Sequence, residues 1–419
     1  MNHSPQPDCG CDDFAVSRRR FLQGAAAVGG TAILTSLIGD TFTEVAFGAE
    51  ANTNVLVVLS LRGGADGLSM VVPHGDPAYA SARPSIGIPR DSLLARDDMF
   101  GLHPAFEPLL PMWTSGAMGA VHAVGLPQPN RSHFAAMEAI EDADPGSQER
   151  RGWINRLVGI MGTHDPVEAV QLGNGNAPTS LYGPEPTLSV SSLARLTLPS
   201  DGGFWEGPTR DSLGDTWRTV DSPLGIGARS ALEVSRRLAD LVPSAPPENG
   251  AQYPTTSLGD ALAQSARVIR RQVGARVIAV DCGGWDMHTS VGSVATGQMS
   301  VRLTELAKAL SAFWTELGSS GDRVSIITIS EFGRRVQQNG DSGLDHGYGN
   351  CMLAMGAGIN GGAYYSRWPG LGAVHRIEGD LAVTLDYRSV LSELLASRFP
   401  GVSIPVVFPG FTREAVGIA

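Results

Sequence analysis

The chain is poor in lysine, cysteine and aromatic residues, and each shortage narrows what it can do. Lys308 is the only lysine among 31 basic residues, against 42 acidic ones. The net charge is −11, with no basic stretch to follow a phosphate backbone, so a nucleic-acid partner is not expected. Only four cysteines occur, Cys9, Cys11, Cys282 and Cys351, which excludes a disulfide-rich scaffold. Aromatics make up 6% of residues, little material for a carbohydrate-stacking groove, although Trp205, Trp217, Trp285 and Trp368 leave one open. No G-x-x-x-x-G-K-[ST] occurs, since Lys308 sits in an amphipathic helical pattern, so this is not a P-loop enzyme. No G-x-S-x-G elbow occurs either, which argues against an ordinary α/β-hydrolase. Gly356, Gly358 and Gly361 spell G-x-G-x-x-G after a strand, but residues 363–369 do not continue as the helix a dinucleotide needs, so these glycines read as turns.

What is present begins with an export signal. Ser17-Arg18-Arg19-Arg20-Phe21-Leu22-Gln23 is followed by a small, apolar run from Gly24 to about Ile38. Ala46-Phe47-Gly48 and Ala49-Glu50-Ala51 then offer small-x-small cleavage sites. Paired arginines, an apolar region and a cleavage site make a twin-arginine signal peptide over residues 1–48. The run is short and glycine-rich for a membrane span of about 20 strongly apolar residues, so no stable transmembrane anchor is expected. The expected partner during export is the twin-arginine translocase, and the expected location is periplasmic or secreted. This route carries folded cargo, which favours an ion or cofactor loaded before export.

Residues 49–419 alternate between strand and helix patterns. Continuous apolar runs at Asn54–Leu61, Ala117–Val124, Pro166–Leu172, Ala275–Val280, Arg323–Ile329 and Cys351–Met355 read as buried strands. Helical patterns fall at Pro104–Thr114, Ser132–Glu141, Arg150–Gly162, Leu258–Val273 and Val301–Leu317. Asp386 is placed to N-cap a helix reaching about Phe399. The order predicts an α/β domain with a mostly parallel sheet covered by helices on both faces. Residues 178–253 are rich in Pro, Gly and Ser, with one helix near Ala228–Leu241, and read as an insertion or cap. Cys282 and Cys351 fall in two strand-like segments, either as a disulfide or as buried thiols.

In open α/β sheets chemistry gathers beyond the carboxyl ends of strands. Asp66 follows the first strand in Arg62-Gly63-Gly64-Ala65-Asp66-Gly67, either as a site carboxylate or in a plain turn. Ser132 in Asn130-Arg131-Ser132-His133 stands where a helix begins, either as an N-cap or as a nucleophile favoured by the helix dipole. Asp286 and His288 in a glycine-rich turn suit zinc or another divalent ion. Glu331 precedes Arg334 and Arg335, which could pair with it or hold an anion. His346 is a further candidate ligand, with Asp345 placed to orient its ring. His122 reads as core, and His74 and His103 lie near the same edge as candidate substrate contacts.

The order LRGGADGL, PNRSHF, GGWDMH, SEFGRR and DHG resembles the family called "domain of unknown function 1501" across the whole mature chain. That family is grouped with the alkaline phosphatase and sulfatase superfamily, so the resemblance implies an alkaline-phosphatase-like α/β fold. It also implies two divalent metals, zinc above all, with manganese, calcium or magnesium as alternatives, and a Ser or Thr nucleophile. Carried over residue by residue, Asp286, His288 and His346 form one metal site, with Asp281 as an alternative ligand. Asp66, Glu331 and His133 form the second, and Ser132 is the nucleophile. Phe332 breaks the pattern, because it stands where the superfamily has a histidine. Arg62, Arg131 or Arg334 would hold the outer oxygens of an anion. The expected function is therefore a metal-dependent hydrolase of phosphate or sulfate esters. The alternative is a binding or accessory protein for an envelope polymer, on the same scaffold without turnover.

Overall fold

The computed structural model describes residues 53–144, 147, 149–196, 206–238, 241 and 246–419, and the backbone of 33–38 and 41–46. Two units separate at Asn52/Thr53. In the first, Ile33–Ile38 and Thr41–Ala46 pair antiparallel. The Ser17–Gln23 motif lies outside the described residues.

In the second unit, strand β1 (Val55–Leu61) is buried at every position, which is why its sequence is apolar without alternation. Val55, Val57 and Leu59 share one core with Leu262, Leu306 and Leu310, while Leu56 and Val58 share another with Ile154, Leu157 and Leu391. Both faces of the sheet are thus covered by helices. Around β1 stand β2 (Met118–Gly125), β3 (Ala169–Leu172), β4 (Leu188–Val190), β5 (Val277–Cys282), β6 (Val324–Ile329), β7 (Asn350–Gly356), β8 (Tyr364–Tyr365) and β9 (Leu385–Asp386). Their order is β8-β2-β7-β6-β1-β5-β3-β4, with β9 also pairing to β2. Only β7 runs antiparallel to its neighbours, so the mostly parallel sheet expected from the alternation is present.

Helices α1 (His133–Asp142), α2 (Trp153–Met161), α3 (Glu206–Trp217), α4 (Pro223–Leu238), α5 (Ser257–Arg270), α6 (Gln298–Leu317) and α7 (Tyr387–Arg398) connect or cover the strands. α6 buries Leu303, Leu306, Leu310 and Phe313 completely, each contributing roughly 1.5–3 kcal/mol. Asp386 caps α7 by accepting from the Arg388 amide at 2.9 Å. The segment Pro104–Thr114 is helical as expected, but its first half, Pro104–Leu109, is a 3-10 turn, because Pro108 lacks the donor an α-helix needs. Between 178 and 253, the expected helix is α4. The same stretch also holds α3, which Gly207, Pro208 and Gly214 disguised, and the edge strand β4. Cys282 and Cys351 are buried free thiols, and burial pushes the Cys282 thiol up to about 12. After β7, Gly356 and Gly358 adopt positive φ (98° and 73°) in a turn rather than opening a helix. No helix among the described residues is long and apolar enough to cross a membrane.

Candidate metal centre

The loops leaving β1, β2, β5 and β6, and the loop entering the antiparallel β7, meet at one edge of the sheet. Gly63 and Gly64 permit the closest approach, at φ values of 115° and 65°. A Cβ on Gly63 would lie 2.7 Å from the Asp286 amide nitrogen, and one on Gly64 would lie 2.5 Å from the Phe332 ring. Only glycine tolerates both the φ and the crowding.

At this edge four donor atoms face one another. The Nε2 atoms of His133 and His346 are 3.0 Å apart, and those of His288 and His346 are 3.1 Å apart. Asp286 Oδ1 lies 3.0 Å from His288 Nε2, 3.3 Å from His346 Nε2 and 3.5 Å from His133 Nε2. The opposite ring nitrogens fix the tautomers. His133 Nδ1 faces Glu331 Oε1 at 2.8 Å, His288 Nδ1 faces Asp345 Oδ1 at 3.2 Å, and His346 Nδ1 faces the Arg131 carbonyl at 2.9 Å. Each of these partners only accepts, so each Nδ1 carries the proton and each Nε2 presents a lone pair. His133 Nε2, His346 Nε2 and Asp286 Oδ1 form one group close enough to share an ion, with His288 Nε2 beside it next to His346 and Asp286. One shared proton can satisfy two of the three, whereas a divalent cation satisfies the group. A zinc with arms of 2.0–2.1 Å sets tetrahedral donors roughly 3.3 Å apart, the size of the 3.0, 3.3 and 3.5 Å separations among His133, His346 and Asp286. The donor set thus fits a divalent metal, with carboxylates and a carbonyl behind the rings as metal-bound imidazoles require.

Several expected residues take other roles. His133, expected in a second site, joins Asp286 and His346 in a single group of donors. Glu331 does not face this point. Its Oε1 accepts from His133 Nδ1 and from the Gly63 amide at 2.8 Å, so it orients His133. Asp345 orients His288 rather than its neighbour His346. Asp66 is absent from the cluster. Both its oxygens bind the guanidinium of Arg83, Nη2 at 2.9 Å, with both side chains almost fully buried. Burial pushes the Asp66 carboxyl up, but the charge and hydrogen bonds of Arg83 hold it below the ordinary range. Phe332 is buried, its ring 4.9 Å from those of His133 and His346, and packs behind the donors.

The arginines also sort themselves. Arg334 is buried and donates to Asp286 Oδ1 at 2.6 Å, and to the carbonyls of Gly63, Gly64, Leu344 and Trp285. It is a strut joining three site loops, not an anion clamp. Burial raises the Asp286 carboxyl, and the Arg334 hydrogen bond and charge outweigh it and hold the group ionised. Arg131 is spent on Asp380 and Glu378. Arg62 gives Nε to Asp281 and Nη2 to Glu141, both at 2.6 Å, and lines a cleft of about 750 Å³ shared with His133, Asp286 and Glu331. His103 is fully buried and His74 binds the carbonyls of Asp97 and Phe100, so neither is placed for substrate. His122 is core, as expected, and burial depresses it to about 4. Ser132 is exposed at the N-cap of α1, and its hydroxyl makes no capping hydrogen bond.

The fold and site define an α/β protein with a candidate donor group of His133, His346 and Asp286, and His288 beside it, at the carboxyl edge of its sheet. Its sequence matches the model described as "Protein of unknown function (DUF1501)" over residues 53–388, and the chain belongs to that family. No curated protein matches it. Among solved structures it is similar to the C-terminal periplasmic domain of EcEptC from Escherichia coli, in complex with Zn. That likeness has 10% identity, a TM-score of 0.37, and covers 87% of this chain and 89% of that one. It is also similar to the PsFucS1 sulfatase from Pseudoalteromonas sp., at 11% identity and TM-score 0.34, covering 85% and 70%. A third is the lipoteichoic acid synthase LtaP from Listeria monocytogenes, at 7% and 0.33, covering 80% and 74%. Similarity of this size carries neither a reaction nor a substrate to this chain.

Proposed function

We propose that the protein is an exported hydrolase of phosphate or sulfate esters that works with one divalent metal, zinc by its donor set. The observation that supports this reading is the group of His133 Nε2, His346 Nε2 and Asp286 Oδ1, with His288 beside it, at an open cleft. When bound, the ion would polarise an ester oxygen and offset charge on the leaving group. The residues of the chain do the rest. Glu331, Asp345 and the Arg131 carbonyl hold the three rings in their ligating tautomers. Ser132, with its hydroxyl uncommitted at the positive end of α1, is the nucleophile. Arg62 and Arg150 line the cleft, each already paired with carboxylates (Arg62 with Asp281 and Glu141, Arg150 with Glu138), so an anion there would share these guanidinium groups.

A second metal does not fit. The carboxylate it would need, Asp66, is saturated by Arg83, Glu331 is turned to His133, and Phe332 offers no donor. Export by the twin-arginine route is proposed from Ser17–Gln23, and it places the reaction in the envelope or outside the cell.

One observation favours a second reading. His288 Nε2 lies 3.1 Å from His346 Nε2 and 3.0 Å from Asp286 Oδ1, and a fourth protein ligand there would fill the shell as in a structural zinc, whereas catalytic sites keep a position open. On that reading the chain binds an envelope polymer without turnover. The test is hydrolysis of phosphate and sulfate esters by native protein and Ser132→Ala at equal zinc content. The hydrolase reading expects turnover that Ser132→Ala reduces by about 10³-fold or more. Zinc-loaded protein with no turnover on either ester class would leave the binding reading.

A further inference from the structure

The cleft beside the centre has a wall that the donor set does not use. Helix α1 turns Phe134, Met137, Glu138 and Glu141 toward it, the i, i+3, i+4 and i+7 positions of one face. The acidic members are neutralised. Glu141 pairs with Arg62, and Glu138 pairs with Arg150. The apolar members are not. Met137 is 6% exposed and forms the floor, while Phe134 is 91% exposed at the residue following His133. Exposed Leu224 and Val301 need no explanation, since single apolar side chains are common on surfaces. Phe134 differs because it lines the cleft and is adjacent in sequence to a candidate metal donor.

We infer that Phe134 and Met137 form the subsite for the alcohol portion of the substrate, and that this portion is a flat apolar group such as an aryl ring. The inference rests on the anionic-ester reading above. With the anion held at the metal side of the cleft, the group esterified to it extends along α1. A ring lying on Phe134 and over Met137 covers apolar surface that water otherwise contacts. The volume of about 750 Å³ admits such a molecule with its anion.

The test compares two non-hydrolysable anions, phenylphosphonate and methylphosphonate, by calorimetric titration of zinc-loaded protein, with native, Phe134→Tyr and Phe134→Ala chains. Phe134 is exposed, so its replacement leaves the fold and zinc content unchanged. The expected result is that phenylphosphonate binds about tenfold more tightly than methylphosphonate. The Tyr variant keeps this preference and the Ala variant erases it. Equal binding of the two anions, or a preference that survives Phe134→Ala, overturns the subsite and leaves the anion site standing. Binding of neither anion overturns the anionic-ester reading itself, and the subsite with it.

Discussion

Asp66 and Asp286 are two carboxylates at the same edge of one sheet, and their charges are met in different ways. Asp66 is sealed in the protein with Arg83, both side chains at most 2% exposed. Its counter-charge is part of the chain, and the pair is complete when folding is complete. Asp286 is about half exposed; its Oδ1 accepts from Arg334 and lies 3.0, 3.3 and 3.5 Å from the Nε2 atoms of His288, His346 and His133. Arg334 balances the carboxylate, but nothing among the described residues serves the lone pairs. The difference separates a buried ion pair from a metal centre. A buried pair saturates its own acceptors, whereas a metal centre leaves several acceptors aimed at one point.

Removing the built-in cation should have the largest effect. Arg83→Met leaves Asp66 buried without a partner and should destabilise the fold by about 3–5 kcal/mol in urea unfolding. Removing both charges in Asp66→Leu/Arg83→Met should recover most of that. The metal content per folded chain should not change in either variant. A second ion acquired by Arg83→Met would show that Asp66 is a latent ligand after all.

A smaller effect is expected behind the rings. Glu331→Gln keeps the shape and an acceptor for His133 but removes the charge that makes the ring a stronger base, so metal affinity should fall about 10–100-fold in competition with a chelator. An unchanged affinity would mean that His133 is not a ligand.

Acid should separate the two carboxylates by order rather than size. Ligation needs unprotonated imidazoles, so protons compete with the metal and release it as pH falls from neutrality. Asp66 has its pKa lowered on folding, net of a burial term that raises it. A group depressed in this way contributes stability above its unfolded pKa of about 3.9 and loses it as pH falls through the lower folded value. Metal content should therefore drop first, with the Asp66 contribution to melting temperature persisting to lower pH. Loss of both in one step would merge what the structure separates.

Much of this was legible in the sequence, for identifiable reasons. Asn54–Leu61 announces a strand buried on both faces because its apolar run has no alternation, and Asp386 announces α7 because its side chain caps the helix. The turns bearing Asp286, His288 and His346 were legible because polar residues in glycine-rich loops after strands fall at one sheet edge. What sequence could not show was which side chains meet across loops. Asp345 lies next to His346 in the chain but orients His288, and Arg83 carries no motif although it decides the role of Asp66. Arg131 and Arg334 looked like anion clamps because most of their partners, Asp380 and the carbonyls of Gly63, Gly64 and Trp285, lie far away in sequence. Phe134 looked unremarkable because exposure is a property of the fold.

The proposed metal centre is built by His133, His346 and Asp286, with His288 beside them. Its most direct test is elemental mass spectrometry of the natively purified protein beside His346→Ala and Asp66→Asn. The account predicts one divalent ion per chain, lost in His346→Ala and retained in Asp66→Asn. Two ions per native chain, or an ion that survives His346→Ala, or none in folded protein even after zinc is added back, would contradict it.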